Sequence, residues 1–111
     1  MMSFFLYLAK ITEFLDGLTL RESVVKEHAN SINIYPNPTE GTFKVQSNIS
    51  GLLTGISLNI EVLSITGISL MKTVVQENQD INITGCPAGI YLISIKSDEG
   101  IDITKQLIKT E

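Results

Sequence analysis

From Ser31 to the last residue, apolar and polar positions alternate with the two-residue period of extended strands. Ile32 and Ile34 flank Asn33, which predicts a first strand ending at Tyr35-Pro36. Thr42 to Ser47 alternates strictly and turns Phe43 and Val45 inward, a second strand. Leu58, Ile60 and Val62 alternate with Asn59, Glu61 and Leu63 in a third, and Ile68 to Val75 returns beside it as a fourth. Asp80 to Thr84 predicts a short fifth strand with Ile81 and Ile83 inward. Ile90 to Lys96 is the most strand-prone run, with Tyr91, Ile93 and Ile95 on one face, and Ile101 to Lys109 closes the chain. Seven short strands, broken by turn residues about every ten positions, predict an all-β fold, an antiparallel immunoglobulin-like β-sandwich. A small barrel satisfies the same pattern as the lesser alternative.

The corners between strands are locally determined. In Tyr35-Pro36-Asn37-Pro38-Thr39-Glu40-Gly41 two prolines fix two φ angles and hold the residues before them extended, and Gly41 is read as the permissive residue of the turn. Ser64-Ile65-Thr66-Gly67 fits a type I turn with Ser first and Gly fourth. Gly85-Cys86-Pro87-Ala88-Gly89 is a second proline corner, and Asp98-Glu99-Gly100 a hairpin loop. Asn48 to Gly55 reads as a loop around Leu52 and Leu53.

Residues 1–31 follow a different period. Phe4, Leu8, Ile11, Leu15 and Leu18 recur at helical spacing, predicting an amphipathic helix from Ser3 to about Asp16 with Gly17 as its stop. Residues 19–31 read as a polar linker, with room for a short strand at Ser23–Lys26. The apolar start resembles a secretory signal, but no positive residue precedes it, Lys10 and Glu13 interrupt it and no cleavage site follows. The helix packs on the domain in one reading and lies on a membrane surface in another, and its scarcity of positive charge favours the first. The expected domains are therefore 1–31, helix and linker, and 32–111, the β-sandwich.

Composition narrows the function. A chain of 111 residues that is 43% hydrophobic and 18% charged holds one small core. Its formal charge of −4, without a basic cluster, argues against nucleic acid as a partner. No apolar window is long enough to span a bilayer as a helix. The single cysteine, Cys86, permits no internal disulfide and has no basic neighbour to activate it, so it is read as a small apolar plug. The one histidine, His28, stands in the linker without metal-ligand company. No nucleophile elbow or phosphate loop occurs, and Asp80, Asp98, Glu99 and Asp102 read as solvated turn acids rather than calcium ligands. Asn48-Ile49-Ser50 and Asn82-Ile83-Thr84 match glycosylation sequons, short enough to arise by chance. No catalytic, metal or cofactor residue is expected, and no small-molecule substrate.

The corners, taken in order, resemble the C-terminal sorting domains of the type IX (Por) secretion system. Tyr35-Pro36-Asn37-Pro38 followed by Gly41 matches the first signature of that family. Val62-Leu63-Ser64-Ile65-Thr66-Gly67 holds the place of the second, with Ser64 where Asp is usual; a serine still accepts the turn's N–H. Ile68 stands where a Lys often follows that glycine. Pro87-Ala88-Gly89-Ile90-Tyr91 matches the third, with Cys86 in place of Leu, and Lys105 to Lys109 supplies the basic closing strand. The resemblance implies a non-catalytic domain that directs export across the outer membrane and attachment to the cell surface. Its implied partners are the translocon, shuttle and sortase proteins of the outer membrane. The expected recognition residues are Tyr35, Pro36, Asn37, Pro38, Gly41, Ser64, Gly67, Pro87, Gly89, Tyr91, Lys105 and Lys109. The cargo is not evident, because residues 1–31 make no obvious passenger. An immunoglobulin- or fibronectin type III-like adhesion or carbohydrate-binding module is the alternative.

Overall fold

In a computed structural model, residues 28–111 are described. After a 3-10 turn at Ala29–Ser31 come seven strands: β1 (Ile32–Tyr35), β2 (Thr42–Ser47), β3 (Leu58–Ser64), β4 (Ser69–Val75), β5 (Ile81–Asn82), β6 (Gly89–Lys96) and β7 (Asp102–Lys109). They form a three-stranded sheet in the order β1-β2-β5 and a four-stranded sheet in the order β4-β3-β6-β7. Every pairing between these strands is antiparallel. Two separate sheets make this a sandwich rather than a barrel. The helix expected at Ser3–Asp16 and the short strand at Ser23–Lys26 lie outside the described residues.

The two-residue period does the folding. Ile32, Ile34, Phe43 and Val45 point from the smaller sheet into the core, while Asn33, Thr42 and Lys44 face outward. Leu58, Ile60 and Val62 on β3 and Tyr91, Ile93 and Ile95 on β6 meet them from the larger sheet. Leu53 and Ile56 from the loop after β2, and Ile101 from the loop before β7, complete the cluster. Cys86 packs half-buried against it as a free thiol, in keeping with an apolar plug.

Strand boundaries agree with the apolar alternation except at β5, which shortens to two residues. The cause is local. Ile83 still donates its N–H to the Gly41 carbonyl at 2.7 Å, in register with β2, but the Gly41 N–H goes to the Thr39 hydroxyl at 3.1 Å and the Thr84 N–H to the Asn82 side chain at 2.8 Å, so the ladder ends there. The β3–β4 pairing carries a register shift between Val62 and Leu63, which brings Ser69 opposite Leu63.

Register sets the polarity of the molecule. Ser64 pairs with Tyr91, Tyr91 with Leu107, and Gly89 with Lys109. Asn59 pairs with Lys96, and Lys96 with Asp102. The end of β3, the start of β6 and the end of β7 therefore share one pole, and the Asp98–Gly100 hairpin occupies the other.

Candidate functional site

The corner between β1 and β2 folds against the last strand. Asn37 donates from Nδ2 to the Gln106 carbonyl at 2.8 Å and accepts the Ile108 N–H on Oδ1 at 3.0 Å. A carboxamide has the donor and acceptor of a peptide group, so the side chain acts here as one residue of an added strand. The main chain continues the pairing: Thr39 N–H to the Ile108 carbonyl at 2.8 Å, and Thr110 N–H to the Thr39 carbonyl at 2.8 Å. Thr39 and Lys109 form a parallel bridge. The proline corner is thus a clasp across the outer edge of β7 over residues 106–110.

Pro36 and Pro38 in the clasp are both exposed, and both follow cis peptide bonds. Thr39, 2% exposed, is its hinge pin. Its hydroxyl donates to the Thr42 carbonyl at 2.6 Å and accepts the Gly41 N–H at 3.1 Å. Gly41 has a different job from the one expected. Its φ is not in the left-handed region; instead a Cβ there would stand 2.3 Å from Thr84 Cγ2. The glycine is required by close approach rather than by backbone conformation. Tyr35 faces outward on β1, its hydroxyl 3.4 Å from Asn48 Oδ1.

The other corners follow their turn chemistry. Ser64 accepts the Ile68 N–H on its hydroxyl at 3.1 Å and the Gly67 N–H on its carbonyl at 2.9 Å, so serine fills the first turn position as expected. Gly67, with φ +92°, sits where an L side chain is strained. Tyr91 donates its hydroxyl to the Pro87 carbonyl and ties the second proline corner to β6. Burial first, and the neighbouring Cys86 second, push the Tyr91 phenol above its ordinary pKa.

The two lysines of β7 lie on its inward face. Lys105 is half-buried, and Lys109 is 7% exposed with the Thr110 carbonyl 3.4 Å from its ammonium. No ion pair holds either among the described residues, where Lys44 and Asp80 form one at 3.6 Å. Register gathers most of the expected recognition residues at one pole: the first corner from Pro36 to Gly41, Ser64 and Gly67, Pro87 to Tyr91, and Lys109. Lys105, opposite Ile93, stands nearer mid-strand.

A family profile described as the secretion system C-terminal sorting domain matches residues 33–110. The chain belongs to that family. A search among curated proteins finds no match. The family is the C-terminal sorting signal of type IX secretion, which implies dealings with that machinery and export to the cell surface or beyond.

Among the described residues no three His, Cys, Asp or Glu side chains stand close enough to hold a metal ion. The partners of the motif residues were not visible in sequence. Thr39 carries a local cue, since a threonine two residues before a glycine favours a hydroxyl-supported turn. Thr84, Gln106 and Thr110 carry no cue, being recruited from the far end of the chain.

Proposed function

We propose that this sorting domain acts as a folded tag, a non-catalytic surface read by the translocon, shuttle and sortase proteins of the outer membrane, which deliver its cargo to the cell surface and attach it there. The observation that carries this reading is the convergence of separate corners on one pole, held together by Asn37 and Thr39 across β7. A folded pole with fixed loops presents one geometry at small ordering cost, as recognition of a moving cargo demands. Lys105 and Lys109, like the exposed Lys72 and Lys96, have no ion-pair partner among the described residues, and of these four Lys109 is the buried one. An ammonium held at the edge of the core, as Lys109 is, suits an acidic group brought by a partner. Sugar recognition draws no comparable support, because it favours aromatic faces and, among the described residues, Tyr35 is the one aromatic of the exposed large apolar side chains.

The test fuses the full chain behind a reporter that reaches the periplasm, in a host with a working type IX system. The reporter is expected on or outside the cells. Lys109→Met, which keeps the buried stem, is expected to lower export several-fold while the purified domain melts as before. A reporter retained in the periplasm with the intact domain attached overturns the proposal. Removing Lys105 to Glu111 is a poorer test, because it also strips Leu107 from the core and half of β7 from β6.

A further inference from the structure

A sandwich of two open sheets has four edges, and here they are unequal. β5 offers two residues and β1 four, the latter stopped by Pro36. β7 has its last half taken by the Asn37–Thr39 clasp. β4 is left with seven residues, Ser69–Val75, and no strand on its outer side among the described residues. Two separate observations show which of its groups face out. The Ser64 N–H bonds to the Ile68 carbonyl, so even-numbered residues of β3 address β4. On β7, Ile108 bonds outward to the clasp, and following the β7–β6 and β6–β3 registers inward gives the same parity. Either way Met71, Thr73 and Val75 bond to β3, while Lys72 and Val74 direct both N–H and C=O away from the sheet.

The side chains along this edge select its occupant. Leu70 and Val74 are exposed on the outer face with Lys72 between them, and Met71 and Thr73 are half-buried on the inner face. A second copy pairing antiparallel about the strand centre would set Lys72 against Lys72, and like charges directly opposite are destabilising. A mid-edge lysine generally keeps unwanted strands away. The same lysine welcomes an extended segment with an acidic residue opposite it and aliphatic residues two places to either side. We propose that β4 is a strand-addition site at which the export machinery docks such an acidic, aliphatic segment, main-chain bonds to Lys72 and Val74 giving grip and the Lys72 charge giving choice. This rests on the sorting role proposed above.

The test uses the same reporter fused to the full chain. Val74→Pro removes one outward N–H and no bond to β3, Lys72→Glu reverses the charge, and Val74→Thr keeps the backbone. Thr104→Pro makes the equivalent backbone change on the unclasped half of β7. Reporter outside the cells is expected to fall at least tenfold for Val74→Pro and for Lys72→Glu, and to match the parent for Val74→Thr and Thr104→Pro. Export by Val74→Pro and Lys72→Glu at the parent level overturns the β4 site alone, and equal loss with Thr104→Pro overturns its assignment to β4. No export by the parent chain overturns the sorting role itself, and this site with it. If purified Val74→Pro melts well below the parent, Lys72→Gln decides, since it removes the charge without setting a second carboxylate opposite Glu61 on β3: export at the parent level then overturns the site, and a severalfold fall supports it.

Discussion

Gly41 shows how one residue type serves two different needs. In sequence it reads as the flexible member of a turn, yet its neighbour Thr84 leaves no room for a methyl group. Gly41→Ala is therefore expected to cost about 1–3 kcal/mol through overpacking. Thr84→Ser removes the clashing Cγ2 and leaves the nearest remaining Thr84 atoms at 3.3 Å, so the double variant should recover part of that loss in denaturant melts. Additive losses would show that conformation, not space, holds the glycine in place. Tyr91 makes a second residue-scale statement. Its phenol is raised above the ordinary value by burial and then by Cys86, so the folded state keeps the proton longer than the unfolded chain does. The stability this contributes is fully present below the ordinary tyrosine pKa of about 10 and is lost as pH rises through the higher folded value. Tyr91→Phe should flatten the decline in melting temperature above about pH 10 relative to the parent. It should also cost about 1 kcal/mol at neutral pH, from the lost bond to Pro87.

At the scale of elements, the clasp is the feature that joins the beginning of the domain to its end. Asn37 reaches across 69 and 71 positions to Gln106 and Ile108. Asn37→Ala deletes both bonds and leaves the Gln106 carbonyl and the Ile108 N–H to water, with an expected loss of about 1–2 kcal/mol. Amide exchange gives the sharper measurement: the Ile108 N–H should lose protection while the inward N–H of Leu107 keeps it. Equal loss at both would mean that the whole strand detaches instead. The strands themselves were legible because each is a local pattern, Phe43 and Val45 alternating with charged and polar neighbours as β2 requires. The turns at Ser64–Gly67 and Pro87–Gly89 were legible for the same reason, through residues whose backbone preferences are intrinsic. The docking of the proline corner on β7 was not, since no local preference encodes a pairing between residues so far apart. The inward direction of Lys105 and Lys109 was legible in principle, because both share the parity of Leu107, but a charged side chain on the core face runs against the usual pattern.

At the scale of the molecule, the register gives the sandwich two unlike ends. Asp98, Glu99 and Asp102 sit at the hairpin pole, and the family's corners sit at the other. These corners are adjacent only in the folded sandwich, since Pro36 and Lys109 stand at opposite ends of the matched segment. A tag of this kind should fail when the fold fails, even with every motif residue present. Phe43 provides the means: it is fully buried near the start of β2 and far in character from any recognition role. Phe43→Ala is expected to cost about 3–5 kcal/mol, a large part of the roughly 5–15 kcal/mol that holds an ordinary small domain together. Export of the reporter should then fall in step with the folded fraction, measured on the purified variant by melting and protease resistance, and Phe43→Leu should restore both. Export at the parent level by a Phe43→Ala domain that is unfolded by those measures would instead make the signal a set of short linear motifs, and the clasp a matter of stability alone.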